Sequence, residues 1–130
     1  MKAAALTQQV RLVPGGLTEA DGERAARELL RRKPAATAVT AFNDRCAAGL
    51  LAVARNAGVD VPADLALVGY DNSSIASLDT IALTTVAQDS ATLAQLAFER
   101  ATGWAEGRVD EPGEMVVPPH LVVRKTSVRR

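Results

Sequence analysis

The sequence predicts an α/β fold, in which a parallel sheet and its flanking helices form three layers. Three observations support this prediction. The run Leu65–Val68 is apolar at every position, as in strands that are buried on both faces of a parallel sheet. Residues 37–70 alternate a β-prone segment, a segment of helical periodicity and a second β-prone segment. Their combined length is about that of a parallel crossover.

The composition suits one globular unit and argues against several functions. The chain has 130 residues, of which 48% are hydrophobic, enough for one core. Lys plus Arg equals Asp plus Glu at 15 each, whereas DNA-binding domains are usually basic. A single cysteine, Cys46, and a start without the apolar core of a signal peptide indicate a cytoplasmic protein. No apolar stretch is long enough to predict a membrane span.

The amino-terminal part is predicted to contain a strand and a helix. Residues 10–13 are β-prone and are followed by a turn rich in proline and glycine. Thr18 and Asp21 have the spacing of a capping box, and apolar residues repeat at helical spacing until Pro34 interrupts the pattern. We therefore expect a helix over residues 19–32.

The central part is predicted to be a strand, a helix and a strand. Residues 37–42 are β-prone, and either Asn43 or Asp44 provides a cap for a helix that ends near Asn56. Residues 65–69 then form the buried strand described above. This order predicts two parallel strands connected by the helix.

The carboxyl-terminal part contains four weaker signals. Residues 83–86 are β-prone, and residues 90–106 have apolar positions at helical spacing. The β-prone pieces 115–117 and 121–123 are separated by two prolines. Because proline cannot donate to a strand ladder, these pieces are not expected to form one continuous strand.

Two predicted strands are followed by polar residues suited to binding a ligand. Asn43 follows the strand at 37–42, and Asp71 follows the strand at 65–69. In open α/β sheets ligands bind at the carboxyl ends of the strands, so we expect these side chains to lie close together. A carboxylate and an amide can bind adjacent hydroxyl groups, which favours a polyol-like ligand. Each residue also has a purely structural interpretation: Asp71 as the cap of a short turn, and Asn43 as the start of the helix.

Motifs for catalysis and cofactor binding were not found. The chain has no G-x-G-x-x-G motif, Walker loop, G-x-S-x-G motif or H-E-x-x-H motif, so an enzyme is not expected and no cofactor is predicted. His120 lacks a second histidine or a cysteine nearby, and no metal site is predicted. Cys46 is interpreted as a small buried hydrophobe, and the pair Arg124-Lys125 as solvated charge. A flavodoxin-like enzyme that uses Asp71 is the remaining catalytic alternative.

Five short motifs occur in one order along the chain: N-D-x-x-A-x-G, G-x-x-V-P, V-G-Y-D-N, L-T-T-V and L-V-x-R-K-T. Together they resemble the carboxyl-terminal half of the effector-binding core of LacI/GalR-type transcription regulators. That core is similar to the type I periplasmic sugar-binding proteins. The resemblance covers roughly residues 13–127 and implies a partial fold of that type, with the first half of the core missing.

The resemblance implies a set of ligand-binding residues. In such regulators the acid of the G-Y-D motif, here Asp71, hydrogen-bonds ligand hydroxyls, and the position of Asn43 touches ligand in some members. Gln88 follows the L-T-T-V strand and is expected to reach the same cleft, although a solvated role is the alternative. Leu17 stands where many sugar-binding members place an aromatic ring. Asp44 is interpreted as the cap of the following helix.

The resemblance also implies a division of the chain. Residues 10–87 would form the carboxyl-terminal subdomain of the core, residues 88–118 would belong to the other subdomain, and residues 119–130 would form a return strand and tail. The DNA-binding headpiece would lie outside this chain. The helix after residue 88 would then expose an apolar face that includes Leu93, Leu96 and Trp104. Such a face predicts that the helix folds back on its own sheet, that the chain associates, or that it is part of a longer protein.

The implied function is binding of a small effector, a sugar, polyol or nucleoside-like molecule. Ligand-driven closure of the two subdomains would control DNA binding by a full-length homodimer. The dimer surface is expected at the helix 45–57 and the segment 73–83. The alternative is a periplasmic-type solute-binding protein of a sugar transporter, which the L-V-V-R-K-T-S ending argues against.

Overall fold

The computed structural model describes residues 10–31, 36–108 and 113–128, which contain four helices and four strands. In chain order these elements are α1 (Glu19–Arg31), β1 (Ala38–Thr40), α2 (Asp44–Asn56), β2 (Ala66–Tyr70), α3 (Ser74–Ser77), β3 (Thr84–Ala87), α4 (Ser90–Ala105) and β4 (His120–Val122). None of the described helices has both the length and the apolar character that crossing a membrane would require.

The four strands form one mixed sheet in the order β1-β2-β3-β4. The first three strands are parallel, with Thr40 opposite Val68 and Tyr70 opposite Val86. β4 is antiparallel to β3, and Leu121 lies opposite Val86. The parallel sheet is therefore confirmed for β1 to β3, while the return strand makes the sheet mixed. The carboxyl ends of the three parallel strands lie at one edge of the sheet.

The hydrophobic core lies between the sheet and α2. Leu51 of α2 packs in one cluster with Leu65, Leu67 and Leu83, each of them at most 2% exposed. Small residues of α1 and α3 complete the same cluster. Burial alternates along β2, where Leu67 is fully buried and its neighbour Val68 is half-buried. The helices of the core cluster thus cover the face of β2 on which Leu67 lies.

The helices α1 and α2 cross in close contact because each has a glycine that faces the backbone of the other helix. A Cβ atom added to Gly22 would lie 2.0 Å from the carbonyl oxygen of Cys46. A Cβ atom added to Gly49 would lie 2.0 Å from the carbonyl oxygen of Glu19. The Arg45 guanidinium closes the same contact with two hydrogen bonds to the Glu19 carboxylate, at 2.9 and 2.8 Å. This contact fixes the loop that precedes α1 relative to the start of α2.

Two predicted strands are wrong. Residues 10–13 and 115–117 form no strand, and several of their apolar side chains are exposed, Leu12 to 91% and Val116 to 76%. Both pieces have β propensity, but within the described residues neither has a neighbouring strand to supply hydrogen-bond partners. β propensity reflects packing in a sheet more than a backbone preference. The short helix α3 was not predicted, since its four residues are too few to show a periodicity.

The helix α4 has the predicted exposed apolar face. Within α4 only Gly103 is buried, while Leu93, Phe98 and Trp104 are 39%, 69% and 67% exposed. Leu96 is half-buried. The helix does not pack extensively against any other described helix or strand. The expectation that it folds back on its own sheet is therefore wrong.

Candidate ligand-binding site

Asp71 and Gln88 form the centre of the candidate site, at the carboxyl ends of β2 and β3. The Gln88 side-chain amide donates a hydrogen bond to Asp71 Oδ1 at 3.0 Å. Asp71 is exposed and Gln88 is half-buried. An exposed carboxylate beside an amide offers both acceptors and donors to a ligand. The structure thus brings together two of the four predicted ligand-binding residues in direct contact.

The backbone at Asp71 turns sharply away from the sheet. The φ angles of Asp71 and Asn72 are 101° and 49°, in the left-handed region that non-glycine residues rarely occupy. The Asp71 amide continues the ladder by donating to the Val86 carbonyl at 2.9 Å. Residues with such dihedrals persist only where their surroundings hold them. The neighbouring contacts of this turn are therefore part of the site.

The buried carboxylate of Asp44 ties this turn to two strands. Asp44 Oδ2 accepts hydrogen bonds from the Ser73 amide at 2.7 Å and the Ser73 hydroxyl at 3.0 Å, and its Oδ1 accepts from the Thr85 hydroxyl at 2.6 Å. Thr85 Oγ1 in turn accepts from the Asn72 amide at 3.2 Å. Asp44 is only 1% exposed. It joins the end of β1, the turn after β2 and the strand β3.

Gly69 makes room for this carboxylate. A Cβ atom added to Gly69 would lie 2.3 Å from Asp44 Oδ1 and 2.8 Å from a methyl carbon of Leu83. The glycine of the V-G-Y-D-N motif is therefore required by the close approach of a buried acid. Asp44 and Gly69 were not predicted as site-forming residues, although both belong to motifs that the sequence analysis identified.

Asn43, and not Asp44, caps α2. Asn43 Oδ1 accepts from the Cys46 amide at 2.8 Å, and Asn43 Nδ2 donates to the Leu17 carbonyl at 3.1 Å. The assignment of the cap to Asp44 is therefore wrong. The Asp44 side chain points across the strand ends, where the donors of Ser73 and Thr85 satisfy its buried carboxylate. The Asn43 side chain connects the start of α2 to the loop before α1.

The Leu17 loop is held by the predicted capping box. The Asp21 carboxylate accepts from the Thr18 amide at 3.0 Å and from the Leu17 amide at 3.1 Å, and the Asp21 amide donates to Thr18 Oγ1 at 3.3 Å. Hydrogen bonds from the Thr18 hydroxyl and amide, followed by the contact with Arg24, lower the pKa of Asp21 well below its usual range. Leu17 itself is 59% exposed. The structure places a leucine side chain in solvent next to Asn43.

The four predicted ligand-binding residues thus form two pairs in direct contact. Asp71 contacts Gln88, and Asn43 contacts Leu17. The two pairs are connected through Asp44, which follows Asn43 in the chain and bonds to the turn after Asp71.

Arg124 is a further residue of this edge that was interpreted as solvated charge. Its guanidinium donates to Asn72 Oδ1 at 2.8 Å and to the Leu83 carbonyl at 2.9 Å. Nearby, Thr126 is buried, donates to the Leu67 carbonyl at 2.7 Å and accepts from the Thr84 amide at 2.9 Å. The sequence signal for both residues was the L-V-x-R-K-T motif. It contacts the V-G-Y-D-N and L-T-T-V motifs, although these lie far from it in the chain.

The chemistry of this edge suits hydrogen bonding to a neutral polar ligand. Among the described residues, no cluster of three or more His, Cys, Asp or Glu side chains is suited to hold a metal ion. Cys46 is buried, as predicted. The carboxylate of Asp71 is exposed and the amide of Gln88 is half-buried, so both are accessible at the strand ends.

Comparison with known proteins identifies relatives over most of the chain. The profile of the periplasmic binding protein-like domain matches residues 1–127. The transcriptional regulator DegA of Bacillus subtilis is 37% identical over 106 residues, which is 82% of this chain and 31% of DegA.

Solved structures of regulators share the fold. A LacI transcriptional regulator from a Rhodococcus species is 42% identical with a TM-score of 0.81, over 87% of this chain and 41% of that one. The complex of the transcriptional regulator CelR with cellobiose is 31% identical with a TM-score of 0.82, over 97% of this chain and 40% of that one.

The matched relatives are transcription regulators, and the chain spans about a third of the length of the curated relatives. It matches the carboxyl-terminal effector-binding region of LacI/GalR-type regulators, in agreement with the order of its motifs. The chain belongs to the periplasmic binding protein-like domain family, in the form that LacI/GalR transcription regulators carry.

Proposed function

We propose that this chain contributes the carboxyl-terminal half of an effector site that binds a sugar or a related polyol, or a nucleoside-like molecule. The observation that carries the proposal is the contact between Asp71 and Gln88 at the carboxyl edge of the parallel strands. Ligands of open α/β sheets bind at this edge. The cellobiose complex of CelR, a structural neighbour, supports a sugar as the effector class.

The chemistry of the pair fits a ligand with neighbouring hydroxyl groups. Asp71 Oδ1 accepts from Gln88, while a carboxylate has further lone pairs to accept hydroxyl protons. Hydrogen bonds to a charged carboxylate are roughly twice as strong as neutral ones. Asn43 and Leu17 would add a polar and an apolar group to the same site. Leucine offers no ring for stacking on a sugar, so hydrogen bonds would supply more of the affinity than in sites with an aromatic ring.

Effector binding would act through two subdomains. Residues 10–87 would form one subdomain, residues 88–118 would belong to the other, and residues 119–130 would form the return connection. A ligand that contacts both subdomains favours the closed state. To change the ratio of closed to open molecules from 1:99 to 99:1, the ligand must bind the closed state about 5.5 kcal/mol more favourably than the open one. DNA would be bound by a headpiece outside this chain, in a cytoplasmic homodimer joined through α2 and residues 73–83.

The choice of a regulator over a transporter's solute-binding protein is supported by the relatives, which are transcription regulators. The same relatives support a binding role for this chain. The proposal also accounts for the exposed face of α4, because that helix would then pack in the part of the protein that belongs to the other subdomain.

Thermal unfolding of the full-length protein tests the proposal. The midpoint would be measured with and without cellobiose, a set of monosaccharides and a set of nucleosides, because binding to the native state raises it by mass action. The same titrations would be made on Asp71→Ala. The control is Asp60→Ala, since Asp60 lies in the segment before β2, at the opposite edge of the sheet.

We expect at least one compound to raise the midpoint of the wild type and of Asp60→Ala, and to bind Asp71→Ala about 10- to 100-fold more weakly. A shift that Asp71→Ala retains in full would remove Asp71 from the site. A compound that is turned over, with turnover lost in Asp71→Ala, would contradict the binding role and favour an enzyme.

A further inference from the structure

Arg124 is the most distant residue in sequence among those that touch the Asp71 turn. It follows β4, 52 positions after Asn72. Its guanidinium reaches in two directions, to Asn72 Oδ1 at 2.8 Å and to the Leu83 carbonyl at 2.9 Å. Its backbone amide donates to the Thr84 hydroxyl at 2.8 Å. The side chain is therefore anchored on the start of β3 before it reaches the turn.

Asn72 connects the turn to two other parts of the sheet. Its φ of 49° is left-handed, a conformation that asparagine adopts more readily than most residues. The Asn72 amide is bonded to Thr85 Oγ1 at 3.2 Å, and its side-chain oxygen is bonded to Arg124. Ser73 is held separately by Asp44. Asp71 thus depends for its direction on a neighbour that two different parts of the sheet hold in place.

We infer that Arg124 is a positioning residue. Through its hydrogen bond to Asn72 it holds the Asp71 carboxylate in the direction in which that carboxylate binds the effector. This inference rests on the proposed function in one respect, that Asp71 binds a ligand. The charged guanidinium is suited to the task because hydrogen bonds with an ionised donor are stronger than neutral ones. Its planar fork also holds two acceptors at fixed directions, which an ammonium group does not.

Four variants of the full-length protein test the inference. Arg124→Met removes the donors and keeps much of the apolar stem. Asn72→Gly removes the acceptor and keeps access to positive φ, whereas Asn72→Asp keeps an acceptor and adds a charge opposite Arg124. The control is Arg27→Met, which removes an exposed arginine that pairs with Glu23 on α1. Each variant would be titrated with the compound that stabilises the wild type, and its unfolding midpoint would be measured without ligand.

A second measurement needs no ligand. Amide hydrogen exchange would be followed by NMR at residues 71–73 and, as internal references, at the ladder amides of Leu67 and Ala66, which bond to Thr126 and Thr37. Exchange reports local opening separately from global unfolding. It therefore distinguishes a loosened turn from a destabilised protein.

We expect Arg124→Met and Asn72→Gly to bind the compound about 10-fold more weakly, with exchange at residues 71–73 at least 10-fold faster and the reference amides unchanged. Asn72→Asp is expected to retain binding within about 3-fold, and Arg27→Met to match the wild type. Unchanged affinity and unchanged exchange at residues 71–73 in Arg124→Met would overturn the inference, as would equal acceleration at the reference amides. If none of the compounds bound the wild type, the proposed function would fail, and the exchange data alone would decide whether Arg124 orders the turn.

Discussion

The helices α2 and α4 are of similar length and differ in what they contact. α2 has 13 residues, seven of them buried, and packs against α1, β2 and α3. α4 has 16 residues, of which one is buried. Both helices carry apolar residues at helical spacing, and both have a side-chain cap at the N-terminus, Asn43 and Asp89. The difference shows that the same local pattern forms a helix in either case, whereas its stabilisation depends on a partner surface.

The largest expected effect is the loss of a core side chain from α2. Leu51→Ala removes a side chain that is 1% exposed, and such changes cost about 2–5 kcal/mol through lost burial and the cavity left behind. The matched change on α4 is Leu93→Ala, expected to cost less than about 0.5 kcal/mol because Leu93 is partly exposed. Urea unfolding of both variants gives the two values. Equal losses would contradict the comparison.

A smaller effect is expected where α1 and α2 cross. In Gly49→Ala the new methyl group would lie 2.0 Å from the Glu19 carbonyl oxygen, so the two helices must separate. Such overpacking costs about 1–3 kcal/mol and outweighs the better helix propensity of alanine. The control is Ala52→Leu, at an exposed position of α2. A more stable Gly49→Ala, measured by urea unfolding, would show that the helices can part without loss.

The pH dependence of α1 is a smaller, surface effect. Hydrogen bonds from Arg45 lower the pKa of Glu19, and hydrogen bonds from Thr18 lower that of Asp21. A carboxyl whose folded pKa lies below its unfolded pKa stabilises the fold above the unfolded value, about 4, and this contribution is lost as the pH falls through the folded pKa. We therefore expect stability to fall below about pH 5.

The pH prediction is checked by urea unfolding between pH 7 and pH 3. Asp21→Asn should flatten the acid side of the profile, because the variant no longer titrates at that position. Exposed ion pairs contribute little, so the change is expected to be smaller than the effect of Gly49→Ala. A profile that Asp21→Asn leaves unaltered would show that the α1 cap does not contribute to acid sensitivity.

The smallest effect is expected on α4. Trp104→Gln replaces a side chain that is 67% exposed, and the unfolding free energy of the 130-residue chain is expected to change by less than about 0.5 kcal/mol. In the full-length protein the same change should cost more, if α4 packs against the other subdomain as proposed. A large loss of unfolding free energy in the 130-residue chain would mean that Trp104 packs against other parts of this chain. The contrast between α4 and α2 would then be wrong.

Much of the fold was predictable because its signals are local. The capping box at Thr18, the periodicity of α2 and the apolar run before Gly69 each lie within a few residues. The strand at 10–13 was wrongly predicted for the complementary reason, since a strand needs a partner that a local pattern does not reveal. β4 resembles that piece in sequence but finds β3 as a neighbour.

The site was predictable where a residue follows a strand directly. Asp71 was identified in this way and Gln88 through the family resemblance, and the structure brings the two into contact. Asp44 was misassigned because its partners Ser73 and Thr85 are 29 and 41 positions away, and a local pattern favoured a helix cap. Arg124 was missed for the same reason, since its partner Asn72 is 52 positions away. Long-range hydrogen bonds are the information that a single sequence does not display.

The bonds of Thr126 also set an order of events during folding. Thr126 completes the pairing of Leu67, which precedes it by 59 positions, and of Thr84, which precedes it by 42. At about 5–20 residues per second of synthesis, Leu67 would wait roughly 3 to 12 seconds for this partner. Closing so long a loop lowers the entropy of the chain before the new hydrogen bonds stabilise the fold. The middle of the sheet would therefore be exposed on the ribosome during that interval, and it is the stretch for which binding by a chaperone would be most useful.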